Sequence, residues 1–203
     1  MVRSLIWNFA FKLQTPWSIE SLKAYEKETI KWEARVFWPE QQVVILNLLE
    51  PDLLKIEKYK YKVREDTYYL FPDDTYNVKS RRNQLLYKPM VKQSSIATGF
   101  ASKINLDEPE NYAKSCDVVF LNTIKVKAHT AAVVPVTKEA YIYKFHTIPK
   151  IKLEIARLEV GGGFYMSACV EGRSLCLVET VCAHLMGKQV FIDYPCFLKK
   201  IAT

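Results

Sequence analysis

The feature that most constrains the fold is a run of cationic side chains at every second position between residues 58 and 92. Its first part consists of Lys58, Lys60, Lys62 and Arg64. The same spacing returns in Lys79 and Arg81 and in the later pair Lys88 and Lys92. Because successive side chains of a β-strand point to opposite faces, this period predicts three strands, each with one basic face. Such faces either bind an anion or are the solvated side of an antiparallel sheet, and the pattern leaves both interpretations open.

Similar patterns predict the other elements of the chain. Further strands are expected at about 29–38, 116–128, 136–146, 150–158 and 164–171. Helices are expected at about 16–27, 39–49 and 174–186, each beginning at a capping residue or a proline. The segment from Val190 to Lys200 is expected to be an extended tail. About eight strands in hairpin order with inserted helices predict a single α+β domain over residues 1–203, built on an antiparallel sheet or barrel.

Composition narrows the possible partners without choosing among them. The 203 residues are 49% hydrophobic and carry a net charge of +7, which permits nucleic acid, acidic lipid or a phosphorylated small molecule. No apolar run approaches the roughly 20 residues that a membrane span needs. Five cysteines without a CxxC pair are typical of reduced thiols, so we expect a cytoplasmic protein. The oligomeric state is left open.

Three carboxylates on predicted strands are candidates for a metal site. Glu33 lies between Lys31 and Arg35, and Glu154 shares a strand face with Lys152. Glu171 ends the strand that follows three consecutive glycines. Together these oxygens could hold a divalent cation, whereas separately each could form an ordinary salt bridge.

The order of several short motifs carries a family resemblance. In chain order they are KWEARVF, the predicted helix from Pro39, DTYYLFPDD, VKSRR, LLYKPM, YIYKF, KLEIARLEVGGGFYMSACVEG and FIDYPCFLKK. This set resembles the CYTH superfamily of triphosphate tunnel metalloenzymes, which includes inorganic triphosphatases, thiamine triphosphatases and a class of adenylate cyclases. The resemblance implies an eight-stranded antiparallel tunnel-like β-barrel covered by helices. It also implies inward Lys and Arg side chains that bind triphosphate, and carboxylates that hold Mg²⁺ or Mn²⁺.

The resemblance also assigns roles to particular residues. The implied substrate-binding residues are Arg35, Lys79, Arg81, Lys88 and Lys144. The implied metal ligands are Glu33, Glu154 and Glu171, of which Glu33 and Glu171 would be the catalytic carboxylates. Two family positions differ here: the ExExK motif of the first strand is represented by Lys31, Glu33 and Arg35, and the late ExE pair by Cys169 and Glu171. Two of the family's expected carboxylates are therefore missing.

Three functions follow as hypotheses from these observations. The first is binding, with metal-dependent hydrolysis as a further step, of a small molecule that contains a triphosphate: inorganic triphosphate, thiamine triphosphate or a nucleotide. The second is a catalytically degenerate barrel that binds a polyanion or a protein partner. The third, which we favour least, is nucleic-acid binding, with tyrosines such as Tyr61 and Tyr87 stacking on bases rather than packing the sheet.

Overall fold

The computed structural model describes residues 1–13, 22, 25–114 and 116–202. Most of the regular structure in this part of the chain is β-strand. The strands are β1 (Val2–Ile6), β2 (Phe9–Lys12), β3 (Lys31–Pro39), β4 (Val44–Asn47), β5 (Lys60–Leu70), β6 (Asn77–Arg81), β7 (Gln84–Lys88), β8 (Met90–Gln93), β9 (Thr98–Phe100), β10 (Ile104–Asn105), β11 (Ala132–Lys144), β12 (Lys152–Val160) and β13 (Gly163–Gly172). The α-helices are α1 (Val118–Ala128), α2 (Leu175–Met186) and α3 (Tyr194–Ala202).

Ten of these strands form one sheet, in the order β10-β7-β6-β5-β11-β12-β13-β3-β9-β8. All of its neighbouring strands are antiparallel, and the long strands β5, β11, β12 and β13 form its centre. The second sheet has the order β1-β2-β4, with β2 and β4 parallel. Two tight turns join neighbouring strands of the large sheet: Arg82 and Asn83 have positive φ angles, as do Gly161 and Gly162.

The large sheet is strongly curled. Strands β7 and β3 are six positions apart in the strand order, which in a flat sheet is about 29 Å at roughly 4.8 Å per strand. Nevertheless Lys88 Nζ of β7 lies 2.8 Å from Glu33 Oε1 of β3. Strands β7 and β8 follow each other directly around Pro89, yet they pair with opposite ends of the sheet. The curl therefore brings the side chains of distant strands together on one concave face.

The predicted α+β class and antiparallel architecture are confirmed, whereas the predicted closed eight-stranded barrel is wrong. The sheet is a curled half-barrel of ten strands. Two reasons explain the difference. Pro89, which has no backbone N–H, divides the third basic segment into two strands. In addition, the segment after Gln93, for which the sequence predicts no strand before residue 116, contributes the short strands β9 and β10.

Helix α3 covers one end of the concave face, where the strand side chains are apolar. It packs the buried side chains of Tyr194, Phe197 and Leu198 against this part of the sheet. The strand residues in this cluster are Tyr68, Leu70, Val136, Ala140, Ala156, Leu158 and Val160. The extended tail predicted here is thus wrong, because Asp193 begins a helix by accepting a hydrogen bond from the Cys196 N–H at 2.9 Å.

Two further predictions of secondary structure are wrong and one is confirmed. Residues 39–49 do not form a helix, because Val44–Asn47 pairs with β2 and buries alternate side chains. The predicted strand 116–128 is helix α1, which Asp117 caps by accepting from two backbone N–H groups. Helix 174–186 is confirmed by α2. The helix predicted at 16–27 falls largely outside the described residues.

The largest hydrophobic cluster lies on the convex side of the sheet. It joins residues of β3, β12 and β13, such as Trp32 and Leu153, to Phe9 of β2, Leu46 of β4 and Leu185 of α2. These elements pack against the convex side of the central strands, and the polar residues lie on the part of the concave face that helix α3 does not cover. None of the helices in the described part of the chain is long and apolar enough to cross a membrane.

Candidate functional site

The concave face contains a cavity of about 340 Å³ whose lining is predominantly cationic. Residues of eight strands of the curled sheet line it, together with the segment after β9. The described cationic residues that line it are Lys31, Arg35, Arg64, Lys79, Arg81, Lys88, Lys103, Lys138, Lys152 and Arg173. The described carboxylates are Glu33, Glu154 and Glu171. Ten cations and three carboxylates thus share one small space.

Glu154 is the most buried of these carboxylates and holds three cations in place. Its Oε1 accepts from Arg35 Nη2 at 3.1 Å and from Lys138 Nζ at 2.9 Å. Its Oε2 lies 3.5 Å from Arg64 Nη1. Burial alone would raise the pKa of Glu154, but the charges of Lys138 and Arg35 hold it well below its usual range. Glu154 is therefore a charged anchor for cations from three strands.

A second anchor, Asp66, lies next to the cavity. Its carboxylate accepts from Lys79 Nζ at 2.8 Å and forms a forked contact with Arg81 Nε and Nη2, both at 2.5 Å. Although burial alone would raise it, these bonds lower the pKa of Asp66 to about 2. Burial lowers the pKa of Lys79 to about 7 in spite of this ion pair, and the nearby charges of Arg81 and Lys138 add to the effect.

Lysines and glutamates alternate along one side of the cavity. We call this set the lysine–glutamate row: Lys88, Glu33, Lys31, Glu171 and Lys152. Lys88 Nζ is 2.8 Å and Lys31 Nζ is 3.1 Å from Glu33 Oε1. Lys31 Nζ is also 2.5 Å from Glu171 Oε2, and Lys152 Nζ is 3.3 Å from Glu171 Oε1. Each glutamate therefore contacts two ammonium groups.

Tyr194 lies where helix α3 meets the cavity. Its side chain is buried, and its hydroxyl has no hydrogen-bond partner among the described residues. Arg35 Cζ lies 4.8 Å and Lys138 Nζ 5.6 Å from the centre of its ring. Burial raises the pKa of this hydroxyl, so it remains a neutral donor. This hydroxyl is therefore available to donate a hydrogen bond to an acceptor in the cavity.

The structure brings together all but one of the residues to which the sequence assigned a role. Seven of them line the cavity: Glu33, Arg35, Lys79, Arg81, Lys88, Glu154 and Glu171. The exception is Lys144, which is exposed and lies six residues beyond Lys138 on β11, about 20 Å along an extended strand. It lines a separate surface depression with Lys58 and Lys60.

Sequence reasoning missed several residues of the site. Asp66 continues the even-numbered series that ends at Arg64, so its position on the same face was available from the spacing. Lys138 is identified only by strand pairing, because it lies opposite Arg64. Tyr194 depends on the placement of helix α3, which the sequence did not predict. Of the regular basic run, Arg64 lines the cavity, whereas Lys60 is exposed.

The three predicted metal ligands do not fit a divalent cation in this arrangement. Glu33 and Glu171 each contact two lysines, and Glu154 contacts Arg35, Arg64 and Lys138. Within the described part of the chain, no group of three or more His, Cys, Asp or Glu residues is placed to hold a metal ion. The expected Mg²⁺ or Mn²⁺ ion stays a prediction, and the contacts of these carboxylates do not favour it.

Comparison with known proteins gives little further information. No family model matches the chain, and no curated protein matches it. Among solved structures it is similar to a "putative adenylate cyclase" from Bacillus halodurans, with 8% sequence identity and a TM-score of 0.40. That similarity covers 83% of this chain and 95% of the other. A likeness this weak carries no argument about function, so the cavity has to be interpreted from its own residues.

Proposed function

We propose that the cavity binds a small polyanionic molecule that carries a triphosphate. The observation that carries this proposal is the charge of the lining: ten described cationic side chains share the cavity with three carboxylates. Adding the neighbouring Asp66 still leaves most of the positive charge unbalanced. Because gathered like charges in a partly buried space are unfavourable, an anion with several charges would stabilise the site.

The pKa values of two lysines are lowered by burial and, to a smaller extent, by neighbouring cations. Burial lowers the pKa of Lys79 to about 7. Partial burial also lowers the pKa of Lys103, and the charges of Arg81 and Lys88 lower it further. Burial is the largest cause of both shifts, and repulsion by the neighbouring cations adds to it. A bound anion would offset the repulsion between these cations.

The donors of the cavity suit phosphate oxygens. Arginine offers a planar fork of N–H groups and lysine a compact charge, and both lie here on several strands that face each other. The volume of about 340 Å³ is near the lower end of the roughly 300–1,000 Å³ found for small-molecule sites. Tyr194 adds an unused hydroxyl donor on the wall. These features favour a compact, highly charged ligand over a polymer.

Hydrolysis is a separate question from binding. A general base or metal ligand needs a carboxylate that is free to accept a proton or a cation, whereas Glu33 and Glu171 are each held by two ammonium groups. The charges of Lys88 and Lys31 keep the pKa of Glu33 low although burial alone would raise it. The proposal therefore concerns binding, and the predicted catalytic roles of Glu33 and Glu171 remain to be tested.

Calorimetric titration with inorganic triphosphate in the presence of EDTA tests the binding proposal. The cavity variant is Lys103→Ala, because Lys103 lies at the rim and its removal leaves the described ion pairs of the cavity intact. The matched control is Lys92→Ala, which removes an exposed lysine from β8. We expect the cavity variant to bind about tenfold more weakly, the usual size for a lost charged contact, and the control to bind normally. Absence of binding under all conditions, or equal losses in both variants, would contradict the proposal.

The same preparations separate the other hypotheses. Release of phosphate from triphosphate with Mg²⁺ or Mn²⁺, abolished by Glu171→Gln, would show hydrolysis. Binding without turnover under any divalent ion would identify a binding module. Nucleic-acid binding would instead show a steep loss of affinity with salt and little competition by free triphosphate.

A further inference from the structure

The two glutamates of the lysine–glutamate row face each other across neighbouring strands. Glu33 of β3 is the direct register partner of Glu171 of β13. Directly opposite residues on one face of an antiparallel pair have Cβ atoms about 4.5–5.5 Å apart, and like charges at this distance repel each other. Both side chains are largely buried, at 15% and 16% exposure, so water screens the repulsion only weakly. This pair therefore needs a cation.

The ammonium group of Lys31 supplies that cation. It contacts Glu33 Oε1 at 3.1 Å and Glu171 Oε2 at 2.5 Å, so one nitrogen bridges both carboxylates. Lys31 is the first residue of β3 and lies two positions before Glu33, on the same face of the strand. Burial alone would lower the pKa of Lys31, but the two carboxylates raise it. The bridging group thus stays protonated throughout the physiological pH range.

Lys88 and Lys152 complete the charge balance of the row. Lys88 contacts the glutamate on one side of Lys31, and Lys152 contacts the glutamate on the other side. Three ammonium groups on two carboxylates leave the row with a net positive charge towards the cavity. A divalent cation between two carboxylates would neutralise the pair, whereas this arrangement already attracts an anion.

We propose that Lys31 is a built-in cation that takes the place of a divalent ion between Glu33 and Glu171, so that the cavity binds its polyanion without a metal. This inference rests on the proposed function only for the identity of the anion. The bridging role of Lys31 can be tested without any anion, because it predicts what Glu33 and Glu171 do when the lysine is removed.

The first experiment compares triphosphate binding by the unmodified protein in EDTA and in excess Mn²⁺ or Mg²⁺. We expect full binding in EDTA. We expect weaker apparent binding with the metal, because divalent ions bind the phosphate oxygens of free triphosphate and compete with the lysines. Binding that occurs only in the presence of a divalent ion would overturn the inference while leaving the proposed function standing.

The second experiment titrates Mn²⁺ alone into the unmodified protein, Lys31→Ala and the control Lys92→Ala. Without the ammonium group, the opposed carboxylates provide oxygen ligands for a hard cation. We therefore expect Lys31→Ala to gain one Mn²⁺ site and a rise in melting temperature on adding Mn²⁺, with neither effect in the other two proteins. Lys31→Met, which keeps the aliphatic stem, replaces Lys31→Ala if the latter does not fold.

Two results of this titration would overturn the inference. One is a Mn²⁺ site at Glu33 and Glu171 in the unmodified protein, shown by its loss in Glu171→Gln. The other is a Lys31 variant that folds and gains no Mn²⁺ site. If triphosphate binds to no protein under any condition, the proposed function fails, and the Mn²⁺ titration still decides the role of Lys31. If triphosphate binds, Lys31→Ala should bind about tenfold more weakly in EDTA, and Mn²⁺ should restore part of the loss.

Discussion

At the scale of single residues, Tyr194 has an unusual combination of properties. Its hydroxyl is buried without a hydrogen-bond partner among the described residues, and its ring contacts Arg35 and Lys138 at the wall of a cationic cavity. An unsatisfied buried hydroxyl costs about 1–3 kcal/mol of folding free energy. A ligand oxygen that accepts a hydrogen bond from this hydroxyl would recover this energy on binding. Stability and binding therefore place opposite demands on this group.

This conflict predicts that Tyr194→Phe stabilises the free protein and weakens its affinity for triphosphate. The unfolding free energy should rise by up to about 1 kcal/mol, and the affinity should fall about tenfold. Urea unfolding and calorimetric titration measure the two effects. Tyr61→Phe is the matched control, because its hydroxyl donates to Glu139 at 2.8 Å on the exposed side of the sheet. A variant that loses stability and keeps its affinity would show that the hydroxyl has a structural role instead.

The pKa of Lys79 leads to a prediction about pH. It is about 7 in the folded protein, against about 10.4 for an ordinary lysine, because burial and the nearby charges of Arg81 and Lys138 outweigh the ion pair with Asp66. Between these two values the unfolded chain binds more protons than the folded one. The contribution of Lys79 to stability therefore rises as the pH increases from 7 towards 10 and is constant below 7.

Urea unfolding at pH 7, 8 and 9 tests this dependence. Relative to Lys79→Met, the unmodified protein should gain stability with increasing pH, at a rate of no more than about 1.4 kcal/mol per unit. The difference in unfolding free energy between the two proteins removes the contributions of groups that titrate in both. Lys92→Met, at an exposed position of β8, should follow the unmodified protein. If the unfolding free energies of the unmodified protein and Lys79→Met change in parallel over this pH range, Lys79 has an ordinary pKa.

The residues of the site were partly predictable from the sequence. Strand spacing placed Lys79 and Arg81 on one face, because side-chain direction in a strand depends only on parity. Spacing also places Asp66 on the face of Arg64, but its contacts with Lys79 and Arg81 depend on strand pairing, as does the position of Lys138 opposite Arg64. Lys144, which does not line the cavity, shows a different limit. The spacing of residues shows on which face of a strand a side chain lies, but it does not show where along the strand the cavity ends.

At the scale of secondary-structure elements, the sequence predicts a helix correctly where residues within and next to that helix determine it. Helix α2 follows from its apolar stripe and from Gly187, which has a positive φ at its C-terminal end. Helix α1 was missed because its sequence, VVFLNTIKVKA, is rich in β-branched residues that favour strands in general. It is helical because Leu121, Ile124 and Ala128, at helical spacing, are buried against the sheet. Tertiary packing thus overrides propensity in this segment.

Helix α3 closes one end of the concave face and positions Tyr194. Phe197 anchors it, since its ring stacks on Phe37 at 3.8 Å and meets Tyr165 edge-on at 5.3 Å between centroids. Phe197 is 7% exposed, so Phe197→Ala should cost about 3–5 kcal/mol of unfolding free energy. The loosened helix should also weaken triphosphate binding through the displaced Tyr194 hydroxyl.

The matched control for this helix is Phe120→Ala, the same substitution in α1 at a position that is 40% exposed. Urea unfolding should show a loss less than half as large, and titration should show normal triphosphate affinity. Equal losses in the two variants would mean that α3 does not act as the closing element of the cavity.

At the scale of the whole molecule, the positive charge is concentrated in one place. The net charge of the chain is +7, and the described residues that line the cavity include ten cations and three carboxylates. The remaining residues are thus close to neutral in total. The sequence gives this net charge directly, but its location depends on the curl that brings β7 to β3, a contact between residues far apart in the chain. A long-range packing event of this kind leaves no local signal in the sequence.

This concentration of charge predicts that triphosphate stabilises the protein far more than a simple salt at equal ionic strength. Chloride only screens the cations, whereas a ligand that binds the folded state alone adds about 2.7 kcal/mol at a concentration of one hundred times its dissociation constant. For a protein of this size, each kcal/mol raises the melting temperature by about 2–4 °C, so the expected rise is roughly 5–10 °C. Lys103→Ala, with about tenfold weaker binding, should show about half that rise at the same concentration. The reason is that the stabilisation grows with the logarithm of the ratio of ligand concentration to dissociation constant. Equal rises with chloride and triphosphate would mean that the cations are only screened and that the cavity does not bind the anion.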